Sequence, residues 1–357
     1  MKRSTVVFSM VALAACSADS SESSLSTSAR NAGVAAPTPG AATGTSDGAS
    51  AGATASGTSG NGTAGAGLLT AGVWDDNLNF AWFGKYLDTT GVLPGVPVFT
   101  ATEREAAKTK WMGPRATSTE LDIAFLVDTT GSMGDELAYV QREIANIASS
   151  IHTRFPNTVP RYGLVLYRDV VDTYVTKPFP FGSLGDFQNA LVGQSADGGG
   201  DYPEAVEEGL ASVMQLDWRT GAVARLTFWI ADAPQHIEKA PQVRAALDTA
   251  VQKDVHLYPV AASGADPLTE FTMRTAAQMT GGRYVFLTDD SGIGGSHEEP
   301  HIPCYQVTHF NDAVVRMVAS ELTGARVAPE VSEVIRTVGD PVDGRCVTQE
   351  QDTVTIY

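Results

Sequence analysis

Three oxygen-bearing side chains follow one short apolar run, and they are the residues of this chain best suited to chemistry. The run is Asp122 to Val127 (DIAFLV), and Asp128, Thr130 and Ser132 come directly after it at alternate positions. Hard divalent ions such as Mg²⁺ take oxygen ligands of this kind. The same residue types are also favoured at the N-cap of a helix. The spacing therefore leaves two readings open, a metal site and a capped helix.

Two further stretches carry carboxylates in comparable positions. Asp232 follows another apolar run, Arg225 to Ala231 (RLTFWIA). Between the two runs lies the glycine loop Asp197 to Glu204 (DGGGDYPE), which contains Asp201. Glycine lets the backbone approach an ion or a ligand closely. Asp128, Asp201 and Asp232 are therefore candidate ligands if the fold brings their loops together.

Apolar runs that alternate with helical patterns predict the elements that would position these residues. Runs of four to eight apolar residues are typical of buried parallel strands, and Pro178 places one run at a sheet edge. We expect an α/β fold: a doubly wound, mostly parallel six-stranded sheet with helices on both faces and one antiparallel edge strand. The predicted strands are 122–127, 162–167, 172–179, 225–231, 255–261 and 283–287, and the predicted helices are 137–151, 203–215, 240–252, 267–279 and 310–322, with Gly281 and Gly324 as stops.

The order of the strands decides whether the carboxylates meet. In the order 3-2-1-4-5-6, the first and fourth strands are neighbours where the order reverses, and ligands bind at their carboxyl ends. Asp128 and Asp232 would then face each other across this crevice. The glycine loop should join them there.

The residues at these strand ends resemble a known family. Asp-x-Thr-x-Ser is similar to the metal-ion-dependent adhesion site of von Willebrand factor A domains, whose usual form is Asp-x-Ser-x-Ser. The resemblance covers about residues 119–324 and includes the glycine loop, the strand before Asp232 and Thr280 to Tyr284 (TGGRY). It implies the doubly wound fold, a Mg²⁺ ion (or Mn²⁺ or Ca²⁺), and binding of a protein or polymer ligand rather than catalysis. The ligand would offer a carboxylate to the ion.

The resemblance also implies a ligand set. By it, Asp128, Thr130, Ser132 and Asp232 hold the ion. Asp201 stands at or beside the position where the family usually has Thr, and this is a departure from the family pattern.

A serine hydrolase is the alternative function. The sequence TGSMG around Ser132 is one residue away from the Gly-x-Ser-x-Gly nucleophile elbow. Asp232 and a later histidine, His256 or His297, would follow in the right order. Against this, the elbow needs a small residue where threonine stands, and Asp128 would oppose the developing oxyanion.

A second polar cluster, residues 289–301, contains Asp289, Asp290, His297 and His301. Its histidines and carboxylates could hold a second ion, Zn²⁺ or Ca²⁺. Glycine-rich acidic loops are more often solvated turns, and that interpretation stays open.

The N-terminus has the pattern of a targeting segment. Lys2 and Arg3 precede a short apolar core and the sequence Leu-Ala-Ala-Cys16, which resembles the lipobox of bacterial lipoproteins. We expect residues 1–15 to be a signal peptide. Cys16 would carry the lipid that anchors the protein outside the cytoplasm, at the outer membrane, the cell surface or the periplasmic face. The alternative is an ordinary signal peptide that happens to contain a cysteine.

The remaining segments and the net charge complete the prediction. Residues 16–66 are rich in Ser, Gly, Ala and Thr and should form a flexible tether. Residues 67–118 should be a mostly extended segment packed on the main domain, and 325–357 a tail of extended type. With 41 acidic and 24 basic residues the net charge is −17, which argues against nucleic acid as a partner.

The cysteines predict one disulfide. If Cys16 is lipidated, Cys304 and Cys346 remain, and exported proteins tend to pair their thiols. Two buried free thiols are the alternative.

Overall fold

The computed structural model describes residues 68–89, 93–113, 115–134 and 136–357. The predicted signal peptide, the lipidated Cys16 and the tether lie outside these residues. Among the helices of the described part, none combines the length and the apolar character needed to cross a membrane.

A nine-stranded sheet forms the centre of the domain, and a two-stranded sheet lies apart from it. The strands of the large sheet are β1 (Thr70–Trp74), β2 (Glu120–Asp128), β3 (Val159–Tyr167), β4 (Thr176–Gly182), β5 (Val223–Ala231), β6 (His256–Ala261), β7 (Tyr284–Leu287), β8 (Tyr305–His309) and β9 (Arg336–Val338), and those of the small sheet are β10 (Arg345–Val347) and β11 (Thr353–Thr355).

The strand order is β4-β3-β2-β5-β6-β7-β1-β8-β9. Its first six strands are the six predicted ones in the predicted order, and β4 is the antiparallel edge strand. The parallel pairs run from β3 through β2, β5 and β6 to β7. The fold class is therefore confirmed.

The predicted strand count was wrong. β1, β8 and β9 extend the sheet beyond β7, and each pairs antiparallel with its neighbours. These strands have only three to five residues and mix polar with apolar side chains. Their sequences therefore lack the long apolar run that marks a buried parallel strand.

Eight helices connect the strands within the described residues. The five predicted helices are present with shifted ends, and Gly281 and Gly324 follow two of them in left-handed conformation. The helices are α1 (Phe80–Thr89), α2 (Ala101–Met112), α3 (Leu137–Arg154), α4 (Leu184–Leu191), α5 (Val206–Met214), α6 (Ala240–Lys253), α7 (Pro267–Thr280) and α8 (Phe310–Thr323).

The expectation of a mostly extended segment over 67–118 was wrong. This segment contributes β1 to the sheet and contains α1 and α2. α2 begins with a capping box in which Thr100 and Glu103 satisfy each other's backbone N–H groups. The prolines at 94 and 97 lie in the connection between the two helices, where they separate the helices without preventing them.

Helices cover both faces of the sheet, as predicted. On β2, Ile123, Phe125 and Val127 join the core beneath α3, α4 and α8. Ala124 and Leu126 join the core beneath α5, α6 and α7. Because both faces of β2 are buried, its carboxyl end is held firmly, and Asp128 is the residue at that end.

The tail after residue 324 adds β9 to the large sheet and forms the β10–β11 pair. Cys304 and Cys346 are joined by a disulfide, as the sequence predicts, with their Cα atoms 6.4 Å apart. The tail is thereby fixed to the domain, and it contains the short strands β9, β10 and β11.

Candidate metal-binding site

Asp128, at the end of β2, forms one hydrogen-bonded group with Thr130 and Ser132. Oδ1 of Asp128 accepts hydrogen bonds from the backbone N–H of Thr130 (2.9 Å) and from its hydroxyl (2.7 Å). The Thr130 Oγ1 lies 3.2 Å from the Oγ of Ser132. Since the hydroxyl proton of Thr130 points to Asp128, its oxygen lone pairs are left for a cation.

These hydroxyls do not cap the next helix. They are followed by a short 3₁₀ turn, Gly131–Gly134, and α3 begins only at Leu137. Its N-cap residue is Glu136, which makes no side-chain capping bond. The structure therefore does not support the alternative in which Asp128, Thr130 and Ser132 cap the following helix.

Asp128 is fully buried, and its surroundings disfavour its charged form. Burial, and next the carboxylate of Asp232, raise its pKa to about 7, against the hydrogen bonds from Thr130. Its second oxygen, Oδ2, is buried and makes no hydrogen bond to the described residues, although the Tyr167 hydroxyl is close enough to favour the charged form. A cation would relieve this unfavourable charge environment.

Asp232 follows β5 and is also buried. β2 and β5 are parallel neighbours, so Asp128 and Asp232 meet at the switch point, as the strand order predicts. The hydroxyl of Tyr202 lies 3.1 Å from the carbonyl oxygen of Asp232 and 2.8 Å from that of Gly264. The residue after Asp201 therefore fastens the glycine loop to the loop after β5.

The glycine loop packs directly on the Asp128 loop. The N–H of Gly131 donates to the carbonyl of Gly198 (3.1 Å), and the N–H of Asp197 donates to the carbonyl of Thr129 (3.1 Å). Gly198 and Gly199 have φ values of 81° and 71°. These left-handed conformations favour glycine, and they bring the backbone of the loop against Thr130.

The structure separates the two acidic residues at the end of this loop. Asp201 is exposed, and no hydrogen bond joins it to Asp128 or Asp232 within the described residues. Glu204 is 2% exposed instead, and its Oε2 has no hydrogen-bond partner among the described residues. Sequence reasoning did not single out Glu204, although it stands in the same quoted stretch.

The pKa of Glu204 is also raised. Burial, and then the carboxylates of Asp128, Asp169 and Asp172, raise its pKa to about 9. Of these acids, Asp169 and Asp172 lie in the loop after β3. Asp172 Oδ2 accepts from the N–H of Gly199 (2.9 Å) and so holds this loop against the glycine loop.

A histidine and an arginine border the acidic group. His236 Nε2 lies 3.1 Å from Oδ1 of Asp169, and Arg168 lies 3.9 Å from Asp197. Both pairs sit at the rim, beside Asp169 and the glycine loop. They contact the outer acids Asp169 and Asp197 rather than Asp128 or Glu204.

Histidine and carboxylate groups alone do not make a metal site here. Over the residues that the structure describes, no three His, Cys, Asp or Glu side chains are grouped so that they could hold one ion. An ion at Asp128 would therefore need the hydroxyls of Thr130 and Ser132 among its ligands. This requirement matches the donor set that the sequence pattern supplies.

The cluster at 289–301 is divided among separate partners. His297 Nδ1 lies 2.8 Å from Asp289 and its Nε2 lies 2.9 Å from the buried Glu136, while His301 Nδ1 lies 2.7 Å from Glu270. The two histidines thus hold the loop to two different helices. No feature of this loop favours the second ion.

The hydrolase geometry is also absent from the described residues. Ser132 has no hydrogen bond to a histidine there; its contact is with Thr130. His256 is the first residue of β6 and so lies at the amino ends of the parallel strands, away from Ser132. Its Nδ1 lies 2.8 Å from Oε2 of Glu321. His297 is engaged by Glu136 and Asp289.

Comparison with known proteins gives a family match. Residues 122–289 match a family model described as the von Willebrand factor A domain. The matched range begins at β2 and ends just after β7, and so it contains all three loops of the site. It is shorter than the range 119–324 over which the sequence shows the resemblance.

Curated relatives are similar over short stretches only. An ariadne-like RING finger protein of Acanthamoeba polyphaga mimivirus is 31% identical over 117 residues, which is 32% of this chain and 11% of that protein. The alpha-protein kinase vwkA of Dictyostelium discoideum is 29% identical over 118 residues, 32% of this chain and 19% of that protein. The chain thus spans less than a fifth of either relative.

Two solved structures are similar to parts of this chain. The pilus adhesin SpaC of Lactobacillus rhamnosus GG is 15% identical, with a TM-score of 0.35, 47% of this chain covered and 28% of that one. The conserved hypothetical protein BatB of Bacteroides thetaiotaomicron is 14% identical, with a TM-score of 0.40, 57% of this chain covered and 98% of that one. At such low similarity neither structure informs on the function of this chain.

Proposed function

Residues 122–289 form a von Willebrand factor A domain, and from this premise we propose that the protein binds a protein or polymer ligand through a divalent ion at the Asp128 site. The ion is Mg²⁺, or Mn²⁺ or Ca²⁺ in its place. Binding is the function of the domain, and no reaction is catalysed.

One observation carries this proposal. The Thr130 hydroxyl donates to the buried Asp128 carboxylate and lies 3.2 Å from the Ser132 oxygen, so a carboxylate and two hydroxyl oxygens form one connected group. Asp232 faces the same group from the neighbouring strand. Hydroxyl and carboxylate oxygens are the ligands that hard divalent ions prefer.

The burial of these residues indicates where a partner would reach the ion. Asp128 and Thr130 are fully buried, whereas Ser132 is exposed. Solvent therefore approaches the group from the Ser132 side. A carboxylate from the partner would complete the shell of the ion on that side, because neutral hydroxyl ligands leave part of its charge uncompensated.

The test combines calorimetry with capture of the partner. Mg²⁺, Mn²⁺ and Ca²⁺ are titrated into metal-free protein, and proteins or polymers retained by immobilised protein are compared with and without EDTA. We expect divalent-ion binding that Ser132→Ala and Thr130→Val weaken. Absence of ion binding to the unaltered protein at millimolar concentrations would refute the proposal.

The location of the domain is a separate part of the proposal. We place it outside the cytoplasm, on a lipid anchor at Cys16 and a tether over residues 16–66, because the Leu-Ala-Ala-Cys pattern precedes that Ser/Gly-rich segment. The protein should fractionate with membranes, and Cys16→Ser should release it. An unaltered protein that is already soluble would contradict the anchor without affecting the metal site.

A further inference from the structure

We propose that Glu204, and not Asp201, supplies the ligand that the glycine loop contributes to the ion; this inference rests on the proposed function. Glu204 would lie in the inner shell with the Thr130 and Ser132 oxygens. Asp128 and Asp232 would act around it, in part through water.

The backbone holds Glu204 beside the loop that follows β5. Its N–H donates to the carbonyl of Pro234 (2.9 Å), and Glu204 forms a parallel bridge with Gln235. Asp232 belongs to the same loop. The backbone contacts alone therefore fix the Cα of Glu204 next to the switch point.

The side chain then extends toward Thr130. Oε1 of Glu204 lies 2.8 Å from the position that a Cβ on Gly199 would occupy, and the Cβ of Thr130 lies 3.1 Å from the same position. The carboxylate and Thr130 thus face each other across Gly199. A larger residue in place of this glycine would separate them.

A buried carboxylate in this position needs a partner. Within the described residues, Glu204 forms no ion pair with Lys, Arg or His, and its Oε2 accepts no hydrogen bond. Burial of a lone carboxylate is costly unless it is paired or coordinates a metal. Asp201, by contrast, is exposed to water and has no such requirement.

The proposal changes the charge of the site. The resemblance to von Willebrand factor A domains implies a neutral threonine hydroxyl at this loop, whereas Glu204 adds a negative charge to the inner shell. The ion should consequently bind more tightly through Glu204. It would retain less positive charge to attract the carboxylate of a partner.

The decisive experiment compares Mn²⁺ binding to three proteins: the unaltered full chain, Glu204→Gln and Asp201→Asn. Calorimetry gives the affinity, and water-proton relaxation at saturating Mn²⁺ reports the water molecules on the ion. We expect Glu204→Gln to weaken binding about tenfold or more, and to raise the relaxivity per bound Mn²⁺ because water replaces the carboxylate. Asp201→Asn should change neither quantity.

Two results would overturn the inference: Glu204→Gln binding Mn²⁺ as the unaltered protein does, or Asp201→Asn carrying the loss. If Glu204→Gln does not fold, Glu204→Asp replaces it in the experiment. This variant keeps the negative charge but has a side chain shorter by one methylene, so its carboxylate lies farther from the ion. Unchanged affinity and relaxivity in Glu204→Asp would then contradict the inference. If the unaltered protein does not bind Mn²⁺, the proposed function itself is refuted. This outcome differs from the two above, in which the unaltered protein does bind the ion.

Discussion

Arg274 donates two hydrogen bonds to Asp76, from Nε at 2.9 Å and from Nη2 at 2.7 Å, although the guanidinium group is fully buried. Its Nη1 donates to Glu270 at 2.9 Å. Asp76 lies two residues after β1, whereas Arg274 lies in the middle of α7. This bidentate pair therefore ties the segment that precedes the family match to a core helix of the domain.

The first prediction concerns this pair. Asp76→Ala should destabilise the protein by about 3–5 kcal/mol, because it leaves a buried guanidinium without its main partner. Urea unfolding at pH 7 measures the change. Asp352→Asn is the control: Asp352 pairs with the exposed Lys85, and its loss should cost less than about 1 kcal/mol. Equal effects of the two substitutions would show that burial of the pair is unimportant.

The second prediction concerns metal and stability. An ion that binds only the folded state stabilises it by about 2.7 kcal/mol at one hundred times its Kd. Mg²⁺ or Mn²⁺ should therefore raise the melting temperature, and EDTA should lower it. Asp128→Ala should abolish this shift. The metal-free variant should melt at or above the temperature of the metal-free parent, since one of two facing buried carboxylates is gone. A metal-induced shift that survives in Asp128→Ala would contradict the assigned site.

The third prediction is that the charge of Glu321, which lies beside His256 at the amino ends of the parallel strands, makes the stability of the protein depend on pH. Although burial opposes it, the charges of His256 and Arg115 lower the pKa of Glu321 to about 2. A carboxyl whose pKa is lowered on folding contributes stability above its unfolded value, near 4.5, and loses it as the pH falls toward 2. Glu321→Gln should therefore cost about 3 kcal/mol at pH 7, and the cost should shrink below pH 4.5.

Denaturant unfolding at several pH values between 7 and 3 checks this dependence. The exposed Glu105, which pairs with Lys108 one turn away, provides the control. Glu105→Gln should leave the acid limb of the stability curve unchanged. A cost of Glu321→Gln that is constant with pH would mean that its charge is not responsible.

The fourth prediction uses two glycines with the same backbone conformation. Gly198 and Gly193 both have φ of 81°, so alanine strains both to a similar extent. A Cβ on Gly198 would also lie 2.1 Å from Oδ1 of Asp172, whereas a Cβ on Gly193 would meet nothing within 4 Å. Gly198→Ala should therefore weaken Mn²⁺ binding and lower the melting temperature by more than Gly193→Ala does. Equal losses in the two variants would show that the loop does not position the site.

Sequence reasoning recovered the parallel part of the sheet because its strands are buried on both faces. Each carries an uninterrupted apolar run, and the polar residues after β2 and β5 mark the ends at which a site can form. β1 and β8 were not predicted because each has only five residues and no apolar run as long as those of the parallel strands. Their place in the sheet depends on pairing with distant segments, which local sequence does not encode.

The candidate site was predictable in part for a similar reason. Asp128 and Asp232 are fixed by the strands that precede them, so their meeting follows from strand order alone. Which acid of the glycine loop turns inward depends on the positive φ angles of Gly198 and Gly199. A glycine accepts several conformations, so the sequence could not distinguish Asp201 from Glu204.

The position of β1 has a consequence for any shorter form of the protein. β1 lies between β7 and β8 and is antiparallel to both. A fragment confined to residues 122–289 lacks β1 and β8 and leaves one side of β7 without a partner. Uncovered strand edges invite pairing with other chains. β1, which precedes the matched range in the sequence, thus protects the edge of β7 from pairing with other chains. A fragment without β1 should form oligomers even if its metal site is intact.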